Sequence, residues 1–268
     1  VFNSLKVFVT HQAAHLEFGS FNFDLQKPAT IFENLRDGLI KDAEPIGTAF
    51  TTPFERFFDL FRIRQLASDL YEISEDARID AAIKREYGGI RKSLNRIQGE
   101  EMLKRPKISD LPLRQAFVEN LLRVSLDGLD AVMWPKSKME VMGKGIAILA
   151  RLTDKGATVE DAAEATVRLY NIASRIPNEK VEDDGDWSQI DPDDEMFSLD
   201  STDIGGQTEQ PQFGEEEEGE TDYESPQDVD FRGDFKPELV QLLMNLRDDP
   251  ELGEGGEFSQ DALTEEQL

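Results

Sequence analysis

The chain has 268 residues, no cysteine, 56 Asp and Glu against 29 Lys and Arg, and a formal charge of −27. Absent cysteine removes disulfides and thiolate metal sites and fits a reducing compartment, with the cytoplasm as the expected location. The acidic balance disfavours phosphate backbones and so nucleic acid, and no apolar run reaches the roughly 18 residues of a membrane helix.

The charge is unevenly spread. Residues 1–176 hold 25 acidic and 25 basic side chains, whereas the remainder has only Lys180, Arg232, Lys236 and Arg247 as bases. A neutral, foldable piece is followed by a strongly acidic one. The sequence starts at Val1 and stops at Leu268 within what reads as the first turn of a helix, as a fragment of a longer protein would.

In chain order, the apolar run from Phe2 to Phe18 reads as a buried helix with Gly19 as its C-terminal stop. Residues 20–50, with Pro28, Gly38, Pro45 and Gly47, read as a long connection holding one short helix. Thr52-Pro53-Phe54-Glu55 is a capping box with proline at the first helical position. Behind it Phe50, Phe54, Phe57, Phe58 and Phe61 share one helical face, and the stripe continues through Leu66, Leu70, Ile73 and Ala77 until Gly88-Gly89 breaks the run. Further helices are expected at about 112–127, 137–153 and 158–175, the last capped by Thr158 with Asp161. The expected fold is all-α over residues 1–177, followed by a disordered acidic linker over 178–234 that buries too little apolar surface to offset its ordering entropy. A short amphipathic helix at about 237–248, with Leu239, Leu242, Leu243 and Leu246 on one side, lies in a final segment, 235–268.

The two histidines, His11 and His15, are one helical turn apart on one face, as two nitrogen ligands of one metal would be. In the H-E-x-x-H pattern of zinc peptidases the glutamate is the general base. Here the intervening residues are Gln12-Ala13-Ala14, and an amide has no useful basicity. A third ligand must come from elsewhere. Glu75 is the first choice, with Asp76 as an alternative ligand or, like Asp80, as a carboxylate orienting an imidazole, and Arg78 able to pair with them. The plainer alternative makes Asp69, Glu72, Asp76 and Asp80 a solvated helix face. Phosphate-binding glycine loops, a nucleophile elbow and a calcium loop are all missing, and Asp200-Ser201-Thr202-Asp203 is not a D-x-S-x-S metal motif.

Two phrases together carry a resemblance. The segment His11-Gln12-Ala13-Ala14-His15-Leu16-Glu17-Phe18-Gly19-Ser20-Phe21 resembles the "HQAxxxEFGxF" segment of the NorD/CbbO family. The run from Asp69 to Asp80, continued by Arg85-Glu86-Tyr87 and Gly89-Ile90-Arg91, is similar to that family's "DLfxivEDaRiDxxixreYpGiR" stretch, and both are more distantly similar to the zincin pattern of the cobaltochelatase subunit CobT. The resemblance implies a zincin-like helical middle region, leading through an acidic linker to a von Willebrand A domain beyond Leu268. It also implies a non-catalytic adaptor for a MoxR-type AAA+ ATPase that activates a client metalloenzyme such as nitric oxide reductase or Rubisco. Zinc is the expected metal, held by His11, His15 and Glu75 or Asp76. The alternatives are a zinc metallopeptidase in which another carboxylate, such as Glu17, replaces the missing base, and a metal-free helical scaffold.

Overall fold

The computed structural model describes residues 2–42, 51–181, 187–190 and 223–248. Helices dominate: α1 (Phe2–Glu17), α2 (Arg36–Asp42), α3 (Pro53–Phe58), α4 (Arg64–Glu86), α5 (Arg91–Met102), α6 (Leu113–Ser125), α7 (Met139–Arg151), α8 (Val159–Ala173) and α9 (Pro237–Asp248). The single sheet among the described residues pairs β1 (Met133–Pro135) antiparallel with β2 (Trp187–Gln189), Trp134 facing Ser188.

Local signals account for many boundaries. Thr52 and Glu55 make both bonds of the capping box that starts α3, and Thr158 and Asp161 do the same for α8. Gly88 and Gly89 separate α4 from α5 as expected. The phenylalanine stripe, in contrast, does not run on as one helix. It breaks over residues 59–63, because the rings have buried partners in several directions. Phe54 and Phe57 pack on Phe23, Phe58 packs edge-on to Tyr71, and Phe61 meets Tyr170 with centroids 4.8 Å apart. A straight helix presents one face only. The break is held by the Ile63 amide, which donates to the Tyr170 hydroxyl at 3.0 Å. Phe50 lies outside the described residues.

The centre of the fold is α4, packed against α8, α6 and α1. It is buried nearly all round, and the buried set includes Asp69, Glu75, Asp76, Arg78 and Asp80. The solvated-face alternative therefore fails at Asp69, Asp76 and Asp80. The connection between α1 and α2 is fastened by α8. The Asp161 Oδ1 atom accepts the backbone amides of Thr30, Ile31 and Phe32 at 3.0, 2.8 and 3.2 Å. Glu164 takes the Leu35 amide and the Arg36 guanidinium, at 3.0 and 2.9 Å.

The linker assigned to 178–234 needs correction wherever it is described. Strand β2 pairs with β1, and Trp187 packs edge-on against buried Trp134. Residues 223–234 run into the helical body, where Val229, Phe231 and Arg232 are buried. The Tyr223 hydroxyl donates to Asp69 Oδ2 at 2.7 Å. Composition misleads here because averaging over the acidic stretch hides the short aromatic islands within it. The expectation of disorder for 182–186 and 191–222 lies outside the described residues, as does the remainder of the final segment, 249–268. Helix α9 forms where expected, and a polar residue ties it to the body: Gln241 accepts the Phe54 amide and donates to the carbonyls of Phe21 and Phe23. Leu242 is buried beside it, whereas Leu243 stays exposed.

Candidate metal centre

Four-residue spacing places His11 and His15 on the side of α1 that meets α4, and the same spacing aligns Asp76 and Asp80 on α4. His11 is 0% exposed, His15 2% and Asp76 2%. Their ligand atoms form a triangle. The two Nε2 atoms are 3.0 Å apart, and Asp76 Oδ1 lies 3.2 Å from that of His11 and 3.4 Å from that of His15. Bonds of 2.0–2.1 Å directed tetrahedrally place donors about 3.3 Å apart. The triangle has that size, and this buried group could hold a metal ion.

The remaining imidazole nitrogens have partners that fix both rings. His11 Nδ1 is 3.0 Å from Asp80 Oδ1, and His15 Nδ1 is 2.9 Å from Ser20 Oγ. A proton on each Nδ1 would leave the Nε2 lone pairs turned inward, the orientation that ligands require. In that tautomer the two Nε2 lone pairs, 3.0 Å apart, would converge on a bound cation. Burial alone would lower the pKa of His11, but Asp80 and Asp76 outweigh it and raise it to about 9. Asp76 is held well below the usual carboxylate range: burial opposes ionisation, and Arg232 and then the imidazoles overcome it. Asp80 is lowered in the same way, by Arg232 and His11 against burial.

Glu75, the first-choice ligand, does not join the triangle. It forms a two-pronged pair with Arg78, at 2.8 and 2.5 Å, and this pairing lowers its pKa against the opposing effect of burial. One residue along a helix is a rotation of about 100°, and α4 is turned so that Asp76 faces α1. Glu75 reaches the centre only at second remove, through Ser20. Glu17, the alternative base, is exposed on another side of α1 and accepts the Tyr87 hydroxyl.

Sequence reasoning missed Arg232. Its Nη2 donates to Asp80 Oδ2 at 2.9 Å, its Nε lies 3.3 Å from Asp76 Oδ2, and its Nη1 donates to Ser125 Oγ at 2.9 Å. Each carboxylate thus gives Oδ1 to the histidines and Oδ2 to the guanidinium, and Gln98 adds a bond to Asp80 at 3.1 Å. A legible signal existed, since Arg232 is one of four bases in the acidic part and stands between Phe231 and Phe235. Both rings cover the histidines, Phe231 edge-on to His11 at 5.7 Å and Phe235 tilted over His15 at 4.8 Å. Gln12 donates to the Arg232 carbonyl. Beside the centre, a cavity of about 160 Å³ is lined by Asp69, Glu72, Asp76, Asp228 and Arg232 among others.

Comparison with protein-family models, curated proteins and solved structures finds no match. Fold and site define a mostly helical protein with a buried His-His-Asp group that could hold a metal ion.

Proposed function

We propose that this chain is a non-catalytic, zinc-organised region of an adaptor that works with a MoxR-type AAA+ ATPase on a client metalloenzyme. The observation that carries the non-catalytic part is the covering of the centre. His11 and His15 lie beneath Phe231 and Phe235, and the residue at the general-base position, Gln12, is an amide bonded to a backbone carbonyl. Two imidazoles and one carboxylate at tetrahedral spacing suit zinc, with the Nδ1 partners holding the rings. A zincin-like origin for the α1–α4 pair accords with this donor set. The ATPase and client rest on the resemblance of the His11–Phe21 and Asp69–Arg91 phrases.

Two measurements test the reading. Metal analysis of the purified chain should give about one zinc per molecule, without hydrolysis of peptide substrates. Immobilised chain should retain a purified MoxR-type ATPase and change its ATP turnover. Peptide hydrolysis that is lost in His15→Ala would replace the adaptor reading with a peptidase. No retention and no change in turnover would remove the ATPase.

A further inference from the structure

The segment that covers the centre, residues 223–236, belongs to no helix or strand and turns over residues 230–232, where the Arg232 amide donates to the Val229 carbonyl at 2.9 Å. A main-chain carbonyl, that of Arg232, is captured by Gln12 of α1. Successive side chains enter different recesses: Phe231 against His11, Arg232 between Asp76 and Asp80, and Phe235 against His15 and Phe21. A captured main-chain carbonyl together with separate recesses for neighbouring side chains is how a groove recognises a peptide, here one that enters as a turn. We propose that the α1–α4 groove is a peptide-binding site for the pattern Phe-Arg-Gly-x-Phe, filled in cis by this chain's own residues 231–235 and able to take the same segment supplied in trans. The proposal stands whether or not the adaptor reading holds.

Each position of the pattern has a physical reason. Asp76 and Asp80 place two buried carboxylates side by side, and a planar guanidinium with several donors serves both at once, whereas an ammonium is a single point charge. Gly233 has φ of +70°, and a Cβ there would lie 2.9 Å from Phe8 Cε2 and 3.2 Å from Gln12 Nε2. Any other residue would be strained in backbone and crowded in space. The two phenylalanines enclose the imidazoles between apolar rings and exclude water.

The test uses the full chain with a specific protease site inserted at Gly205-Gly206, cut only after folding. A fluorescent peptide of sequence 223–248 is then added in excess to cut and uncut protein. The cut protein should exchange its own fragment for the labelled peptide, at one peptide per protein. The uncut protein should take up far less, because a tethered segment competes at an effective concentration on the order of millimolar. Peptides carrying Arg232→Ala should bind more than about thirtyfold more weakly, as expected for removing one partner of a buried charge pair, and Gly233→Ala should also bind more weakly. Failure of the cut protein to exchange in excess peptide, or equal binding by the Arg232→Ala and Gly233→Ala peptides and the wild-type peptide, overturns the proposal. A second arm adds the wild-type peptide to full-length Phe231→Ala/Arg232→Ala, a variant whose own segment is disabled. Recovery of its melting temperature supports the site, and a folded variant that ignores the peptide counts against it.

Discussion

Gln12 and Arg232 lie 220 residues apart in sequence, and the side-chain amide of the first donates to the backbone carbonyl of the second. At the position where a zinc peptidase carries its base, this protein has a hydrogen-bond donor committed to its own chain. Gln12→Glu would turn a carboxylate oxygen toward that carbonyl, exchanging a bond for repulsion. The variant should lose about 1–3 kcal/mol of stability, without gaining hydrolysis. Thermal melts and a peptide-cleavage assay check this, and activity in the variant would show that the centre is open to substrate.

Metal binding should separate the neighbouring acids of α4. Zinc at a hundredfold excess over its dissociation constant should stabilise the protein by about 2.7 kcal/mol. His15→Ala should abolish that gain, and Asp76→Asn should weaken zinc far more than Glu75→Gln. Asp80→Asn, which loosens the orientation of His11, should weaken zinc by about 10–100-fold. Native mass spectrometry with and without zinc gives the order. Glu75→Gln proving the most damaging of the carboxylate changes would restore it as the ligand.

The cavity beside the centre predicts a pH effect. Burial, followed by the repulsion of Asp76, Asp69 and Asp228, raises the Glu72 pKa from 4.5 to about 8, with Arg232 opposing. The folded protein therefore holds this proton more tightly than the unfolded chain. The resulting stability is fully present below about pH 4.5 and is lost as pH rises through about 8. Glu72→Gln removes the titration, so its melting temperature should rise relative to wild type between about pH 6 and pH 9. Parallel profiles of melting temperature against pH would refute the assignment.

Asp161 is the peg that holds the connection between α1 and α2, since one of its oxygens accepts three consecutive amides. Asp161→Ala strands those donors and also removes half of the α8 capping box. A loss of about 3–5 kcal/mol is expected, with faster amide exchange at residues 30–32. Hydrogen exchange on the variant reads this directly, and unchanged protection at Ile31 would contradict it.

The sequence by itself determined what depends on neighbours within a few residues. The capping boxes at Thr52 and Thr158 start their helices, Gly88-Gly89 ends one, and the spacing of His11 and His15 sets them on one face. These are local matters of hydrogen bonding and periodicity. Tertiary structure decided the rest. A helix buried on nearly every side, as α4 is, has no single apolar stripe to fix its rotation, so packing against α1, α6 and α8 selected Asp76 over Glu75. The phenylalanine run broke because its rings are gripped from several directions. Arg232 entered the centre from a stretch whose composition argued for solvent, because two buried carboxylates required a cation and the aromatic residues around it supplied the apolar surface to seat it.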